Sequence, residues 1–265
     1  MIRRVDLIGM PTDVHSSYLR GCAKAPALIR AALFSPHGNE ASEAGLELGA
    51  EITLNDRGDL PLNETPGDDA LIEAAIAASL ATNAVPIALG GDHSITYPIL
   101  RAIHAHHGPV DILHFDAHPD LYDQLGGDRR SHASPFARIM EAGLASRLVQ
   151  VGIRTLNKHQ REQAQRFGVE ITEMRDFGRK PLPAFENGLY ISIDLDGFDP
   201  AFAPGVSHHE PGGLTVRGVV DLLLELDVPL LGADVVEYNP TRDINGVTAV
   251  LAAKLVKELA ALASQ

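Results

Sequence analysis

The stretch VDILHFDAHPD (residues 110–120) decides the reading of this chain. Its first half is a short, largely apolar run rich in strand formers, the pattern of a strand buried on both faces. Its second half sets Asp116, His118 and Asp120 at i, i+2 and i+4, positions that share one face of extended backbone. A polar loop with an Asx turn around Pro119 is the plain alternative. Three metal-ligating side chains directly after a buried strand are more than a turn requires, and clustered carboxylates repel one another without a cation.

Runs of the same kind lie on either side: VDLIGM (5–10), VPIALG (85–90), RLVQVGI (147–153), GLYISID (188–194) and PLLGADVVE (229–237). Between them, 24–34, 68–82, 95–107, 135–144, 158–167, 215–226 and 243–263 carry helical spacing. The alternation predicts a three-layer α/β/α sandwich around a mainly parallel sheet. No shift in composition marks a boundary. The proline-broken segment FGRKPLPAFEN (177–187) is too short for a linker, so a single domain over 1–265 is expected. In open parallel sheets ligands bind at the carboxyl ends of the strands, which is where the polar residues follow the apolar runs.

With 265 residues, 45% hydrophobic and 22% charged, the chain is no disordered tail, collagen or coiled coil. Its net charge of −13 argues against nucleic acid and anionic membranes as partners and suits a small cationic substrate. The lone cysteine, Cys22, permits neither an intrachain disulfide nor a thiolate metal site; it reads as a small buried residue in a protein of the reducing cytoplasm. The opening MIRRVDLIGMPTD is interrupted by Asp6 and stopped by Pro11, so it reads as a first strand rather than a signal peptide. The richest apolar region, 70–89, is broken by Glu73, Thr82 and Asn83, and no membrane span is expected.

Two more clusters follow apolar runs. GGDHS (90–94) presents His93 after a two-glycine turn, although Asp92 or Ser94 capping the next helix is the simpler reading of that motif alone. Asp194 and Asp196 repeat the i, i+2 spacing, with Asp199-Pro200 behind. Together His93, Asp116, His118, Asp120, Asp194 and Asp196 supply two imidazoles and four carboxylates, a charge that two divalent cations match. Two-metal hydrolytic centres hold their ions roughly 3.5–4 Å apart. A carboxylate-rich, thiol-free set suits Mn²⁺ better than zinc.

GGDHS, DAHPD (116–120) and SIDLDGFDP (192–200) resemble the three signature motifs of the ureohydrolase family, the arginases, agmatinases and their relatives. The resemblance covers essentially the whole chain. SHASPFARIME (131–141), REQAQRFGVE (161–170), DPAFAPGVSHHEPGGL (199–214) and GADVVEYNPTRD (232–243) are most similar to plant-type arginases. It implies an eight-stranded α/β/α fold, trimers or hexamers, and two Mn²⁺ ions per chain. One ion would sit on His93, Asp116, Asp120 and Asp194. The other would sit on His118, Asp116, Asp194 and Asp196, with Asp116 and Asp194 bridging. His132, Glu237 and Asp120 would form the catalytic group. His132 would shuttle a proton to the departing amine, and Glu237 would hold the guanidinium as a bidentate partner. Without the resemblance, His132 reads as a neighbour of a helix cap and Glu237 as a strand-end surface charge.

The activity so implied is cleavage of L-arginine to L-ornithine and urea. Agmatine, giving putrescine and urea, or another guanidino acid is the alternative. The far end of the substrate would be read by the loops 121–131 and 205–213. Arg130, beside Arg129 in the first, is the expected carboxylate contact; solvation or a subunit interface is the competing reading. His208 and His209 stand in the second. The NTPxTTxSGNLHG-like segment of animal arginases is absent from the first loop. Two rivals from other classes are a one-zinc deacetylase of the same superfold, which a stoichiometry of one zinc would favour, and a non-catalytic binding protein, which would be free to lose ligands. The apolar stripe of 243–263 reads as core packing, with part available to an oligomer interface.

Overall fold

The computed structural model describes residues 4–179 and 181–265; residues 1–3 and 180, in the N-terminal and 177–187 stretches read above, lie outside the described residues. Its strands are β1 (Arg4–Met10), β2 (Thr53–Asp59), β3 (Ala84–Gly90), β4 (Val110–Phe115), β5 (Ala145–Ile153), β6 (Glu170–Glu173), β7 (Leu189–Asp194) and β8 (Leu230–Val236). They form one sheet in the order β2-β1-β3-β8-β7-β4-β5-β6, and every neighbouring pair is parallel. The six apolar runs are six of these strands. β2 (TLNDRGD) and β6 (EITE) have no apolar run, and they are the two edges of the sheet. An edge strand pairs on one side only and tolerates charge that a central strand excludes.

The helices α1 (Ala25–Leu33), α2 (Asp68–Leu80), α3 (Thr96–His107), α4 (Pro135–Glu141), α5 (Lys158–Phe167), α6 (Val216–Leu224) and α7 (Val247–Ser264) fall close to the spans that carry helical spacing. Their ends have local causes. Asn157 caps α5 by accepting from Gln160 N at 2.9 Å, and Gly168 closes it at φ 67°. Thr215 caps α6 by accepting from Gly218 N at 3.0 Å.

Alternate strand residues feed two cores, one on each face of the sheet. On one face Val5 and Leu7 pack in a core with Ile29 of α1, Leu223 of α6 and Leu255 of α7. On the other, Ile8 and Met10 share a core with Ile76 of α2, Ile99 of α3 and Ile139 of α4. Truncating one such buried leucine or isoleucine to alanine costs about 2–5 kcal/mol. Much of α7 is buried, so its stripe is core, while Val247 and Val250 in its first turn and Ile244 just before it are exposed. No helix among the described residues is long and apolar enough to cross a membrane.

The adjacent strands β3, β8, β7 and β4 occupy the middle of the sheet and point their carboxyl ends the same way. Residues 90–93, 237, 194–196 and 116–120 therefore meet at one rim. Two glycines permit the approach. A Cβ on Gly91 would stand 1.7 Å from the Thr12 carbonyl oxygen, and one on Gly197 would stand 2.9 Å from Asp116 N and Cα.

Candidate metal centre

His93 begins a short 3₁₀ turn (His93–Ile95) that Asp92 caps, accepting from Ser94 N at 3.1 Å and Ser94 Oγ at 2.5 Å. Asp92 thus meets the capping reading of GGDHS and leaves the His93 side chain out of the cap. His93 Nε2 lies 2.9 Å from Ser192 Oγ, which donates to Asp234 Oδ1 at 2.6 Å. Asp234 Oδ2 also accepts from Tyr190 OH and Thr96 Oγ1. Because the Ser192 proton is committed to Asp234, its oxygen accepts from His93 Nε2–H. That leaves the Nδ1 lone pair facing the site.

Nδ1 is buried and makes no hydrogen bond. It stands 3.0 Å from Asp120 Oδ2, 3.2 Å from Asp194 Oδ2 and 3.6 Å from Asp116 Oδ2. Burial opposes charge on His93, yet Asp120 and Asp194 raise its pKa well above the ordinary imidazole range. The place between these carboxylates draws positive charge.

The DAHPD segment is not extended. The chain bends after Phe115, and Asp120 adopts a left-handed φ of 50°. Asp194 ends β7, and its Oδ1 accepts from Asp196 N at 2.8 Å across a turn (Leu195–Gly197). The i, i+2 spacings therefore converge through tight turns, a correction to the extended reading. His118 Nδ1 lies 3.2 Å from Asp196 Oδ2 and 3.4 Å from Asp116 Oδ1. Among the described residues, the donor atoms of His93, Asp116, Asp120 and Asp194 lie within 4.8 Å of one another, as do those of Asp116, His118 and Asp196.

A third such group joins His93 and Asp116 to His114, which the sequence reading passed over. Gln150 Nε2 lies 3.0 Å from His114 Nδ1 and donates to Pro119 O at 2.7 Å. An amide N–H at Nδ1 leaves the ring proton on Nε2, which is 2.9 Å from Asp116 Oδ2. His114 is packed against Asp116, with Nε2 and Oδ2 close but not hydrogen-bonded. Asp234, Ser192, His114 and Gln150 occupy one register row across β8, β7, β4 and β5. Polar residues inside apolar strands were the signal that could have found this row.

Whether these residues suit a divalent cation can be judged from the carboxylates. Burial, then the charges of Asp196 and Asp116, pushes the Asp194 carboxyl well above its usual range. Burial raises Asp196 to about 7, with His118 working against it. Crowded, desolvated carboxylates beside an unpartnered imidazole nitrogen fit divalent cations, which stabilise their charged forms.

Glu237 follows β8 with a left-handed φ of 64°, a strained conformation for a residue with a side chain. Its Oε1 accepts from His93 N at 2.9 Å and lies 2.8 Å from His132 Nδ1. Its Oε2 lies 3.7 Å from the Cys22 thiol, so the buried cysteine touches this carboxylate from behind. Burial works against charge on His132, but Glu237 outweighs it and raises the imidazole to about 9. His132 Nε2 lies 2.8 Å from Ser17 Oγ.

In front lies a cavity of about 280 Å³, lined by His118, Asp120, His132, Asp194 and Asp196 on its inner side and by Ser17, Tyr122, Leu125, Thr155, His208 and Glu210 beyond them. Arg154 donates to the carbonyls of Asp196, Gly197, Phe198 and Glu210, tying the ligand turn to the 205–213 loop.

The expectation that Arg130 reads the substrate is corrected. Its guanidinium pairs with Asp69 at 2.7 Å, donates to Ser94 O and lies over the Tyr97 ring, outside the cavity wall. Arg129 pairs with Asp123 and Glu141. His208 lines the cavity, whereas His209 is exposed and meets Pro204 O.

A family model described as Arginase family matches residues 3–261. The chain is 51% identical to mitochondrial arginase 1 of Arabidopsis thaliana, over 98% of this chain and 81% of that protein. It is 35% identical to the mitochondrial agmatinase of Gallus gallus, over 95% and 78%. The solved arginase from Medicago truncatula superposes with a TM-score of 0.95 at 44% identity, covering 100% of this chain and 88% of that one. The cytoplasmic expectation is overturned here. Arginases that match at about half identity carry mitochondrial names, which point to an organelle.

Proposed function

The chain belongs to the arginase family, and from that premise we propose that it hydrolyses L-arginine to L-ornithine and urea. The observation that carries this reading is the convergence of six ligand-type side chains, with Glu237 and His132 joined to them, behind a cavity that His118, Asp120, His132, Asp194 and Asp196 line. It is a hydrolase of a small guanidino substrate, and its centre is of the metal-dependent kind.

His93, Asp116, Asp120 and Asp194 would hold one ion, and His118, Asp116, Asp194 and Asp196 the other. Mn²⁺ at two per chain is the proposed load, because a carboxylate-rich set without thiolate suits a hard cation. When bound, the ions supply a hydrolytic nucleophile near neutral pH by acidifying water. Everything else falls to the chain. Glu237 has one oxygen committed to His93 N and His132; its Oε2 is the one that would take a guanidinium N–H and fix the substrate's approach. His132, held charged by Glu237, is a proton donor at neutral pH and would be the source of the proton for the departing amine, a poor leaving group until then. Glu210 offers a carboxylate to the ammonium at the far end of the substrate, a group that arginine and agmatine share; the α-carboxylate is what agmatine lacks.

One domain over 1–265 is the organisation the single sheet supports. A trimer or hexamer is proposed, supported by the exposed apolar Ile244, Val247 and Val250. The direct test is urea release by Mn²⁺-loaded protein with L-arginine and agmatine side by side. Preference for arginine is expected. Preference for agmatine would replace the substrate, and urea from neither would end the reading.

A further inference from the structure

Both ring nitrogens of His132 are engaged: Nδ1 at 2.8 Å from Glu237 Oε1 and Nε2 at 2.8 Å from Ser17 Oγ. His132 therefore has no free N–H to place on a substrate. Ser17 lines the same cavity as His132, so its hydroxyl sits both against Nε2 and at the cavity wall.

The loop that carries Ser17 is exposed yet pinned. Asp13 accepts from Gly21 N, Ala23 N and Arg20. His15 N donates to Asp92, the His15 carbonyl accepts from His132 N at 3.1 Å, and the His15 ring pairs with Asp128 at 2.7 Å. The Ser17 hydroxyl is thus tied to the same frame as His132 rather than set loose on a surface.

From this geometry we propose that Ser17 is a catalytic residue, the last carrier of the proton that leaves with the amine. The carboxylate–imidazole–hydroxyl order is also that of a nucleophilic triad. The charge that Glu237 induces decides between the two roles. A protonated His132 donates from both nitrogens, so it cannot act as a base toward Ser17. The Ser17 oxygen accepts from Nε2–H, and its own O–H is left to donate into the cavity.

The C–N bond to the departing amine breaks with its electron pair on nitrogen, while a lone pair of the oxygen already added to that carbon closes to the urea C=O bond. That nitrogen bonds the Ser17 hydroxyl proton, and the Ser17 oxygen takes the Nε2 proton. His132 is left neutral with Nδ1–H still on Glu237. Two protons move in one transfer.

The relay rests on the arginine-hydrolase reading, and its test separates the two. Ser17→Ala, loaded with Mn²⁺, is compared with wild type for kcat and KM on L-arginine, metal content, and rate across H₂O/D₂O mixtures. The expected result is a kcat lower by about 10²-fold, the lower end of what positioned proton transfer contributes. KM should stay within about twofold and metal content should be unchanged, because the substitution removes a late proton donor rather than a binding contact. The bowed proton inventory of wild type should become linear. Ser17→Thr, which keeps the hydroxyl, should recover most of the rate. An unchanged kcat in Ser17→Ala, or a loss carried by KM or metal content, overturns the relay while wild type still makes urea. If wild type makes urea from neither substrate, the reading beneath it fails and the relay falls with it.

Discussion

At and behind the inner wall of the cavity, the ligand-type side chains follow the carboxyl ends of central strands, and several functional side chains are held from behind. His93 is backed by Ser192 and Asp234, Asp116 by His114, and Glu237 by Cys22 and the His93 amide. At the outer wall, Ser17, Tyr122, His208 and Glu210 stand on loops, joined by fewer and more exposed contacts. The inner wall is fixed by the sheet, so its geometry is common to any chemistry the centre performs. The outer wall is where one guanidino substrate can be told from another, because loops vary without disturbing the sheet.

If this division is right, the largest effect belongs to Asp116, whose carboxylate faces both ligand groups. Asp116→Ala should lose urea release by at least about 10³-fold, a few kcal/mol of transition-state stabilisation. Bound metal should fall with it, as read by elemental analysis. An Asp116→Ala protein with both metals and full turnover would break the comparison at its strongest point.

One step back, Ser192→Ala removes the partner that fixes the His93 tautomer. Metal affinity should drop about 10–100-fold, the usual range for such supports. Calorimetric Mn²⁺ titration reads this directly, and unchanged affinity would mean that the wall needs no support from the sheet. The smallest effect belongs to Arg130→Gln. Its ion pair with Asp69 is partly exposed, worth about 1 kcal/mol or less. Thermal unfolding should register a slight loss, while KM for L-arginine should hold within about twofold. A tenfold rise in KM would return Arg130 to the substrate.

The same division governs what the sequence reveals. Central strands buried on both faces announce themselves as apolar runs, and their ends locate the ligands. β2 and β6 escape because an edge strand can be polar: TLNDRGD and EITE read as loops. The spacing of Asp116, His118 and Asp120, and of Asp194 and Asp196, identifies residues that meet, although turns rather than extended backbone bring them together. Contacts such as Ser17 with His132, or Cys22 with Glu237, join residues more than a hundred positions apart and leave no local trace. Arg130 misleads for the converse reason. An arginine in a glycine-bearing loop looks available, and only the fold reveals Asp69 and Tyr97 beside it.

The inner wall is proposed as a two-ion centre serving arginine hydrolysis. Stepwise Mn²⁺ addition to metal-free protein, with bound metal and urea release from L-arginine followed in the same samples, tests it most directly. Activity should reach its plateau at two ions per chain. A plateau at one ion per chain, or two bound ions with no urea, would contradict it.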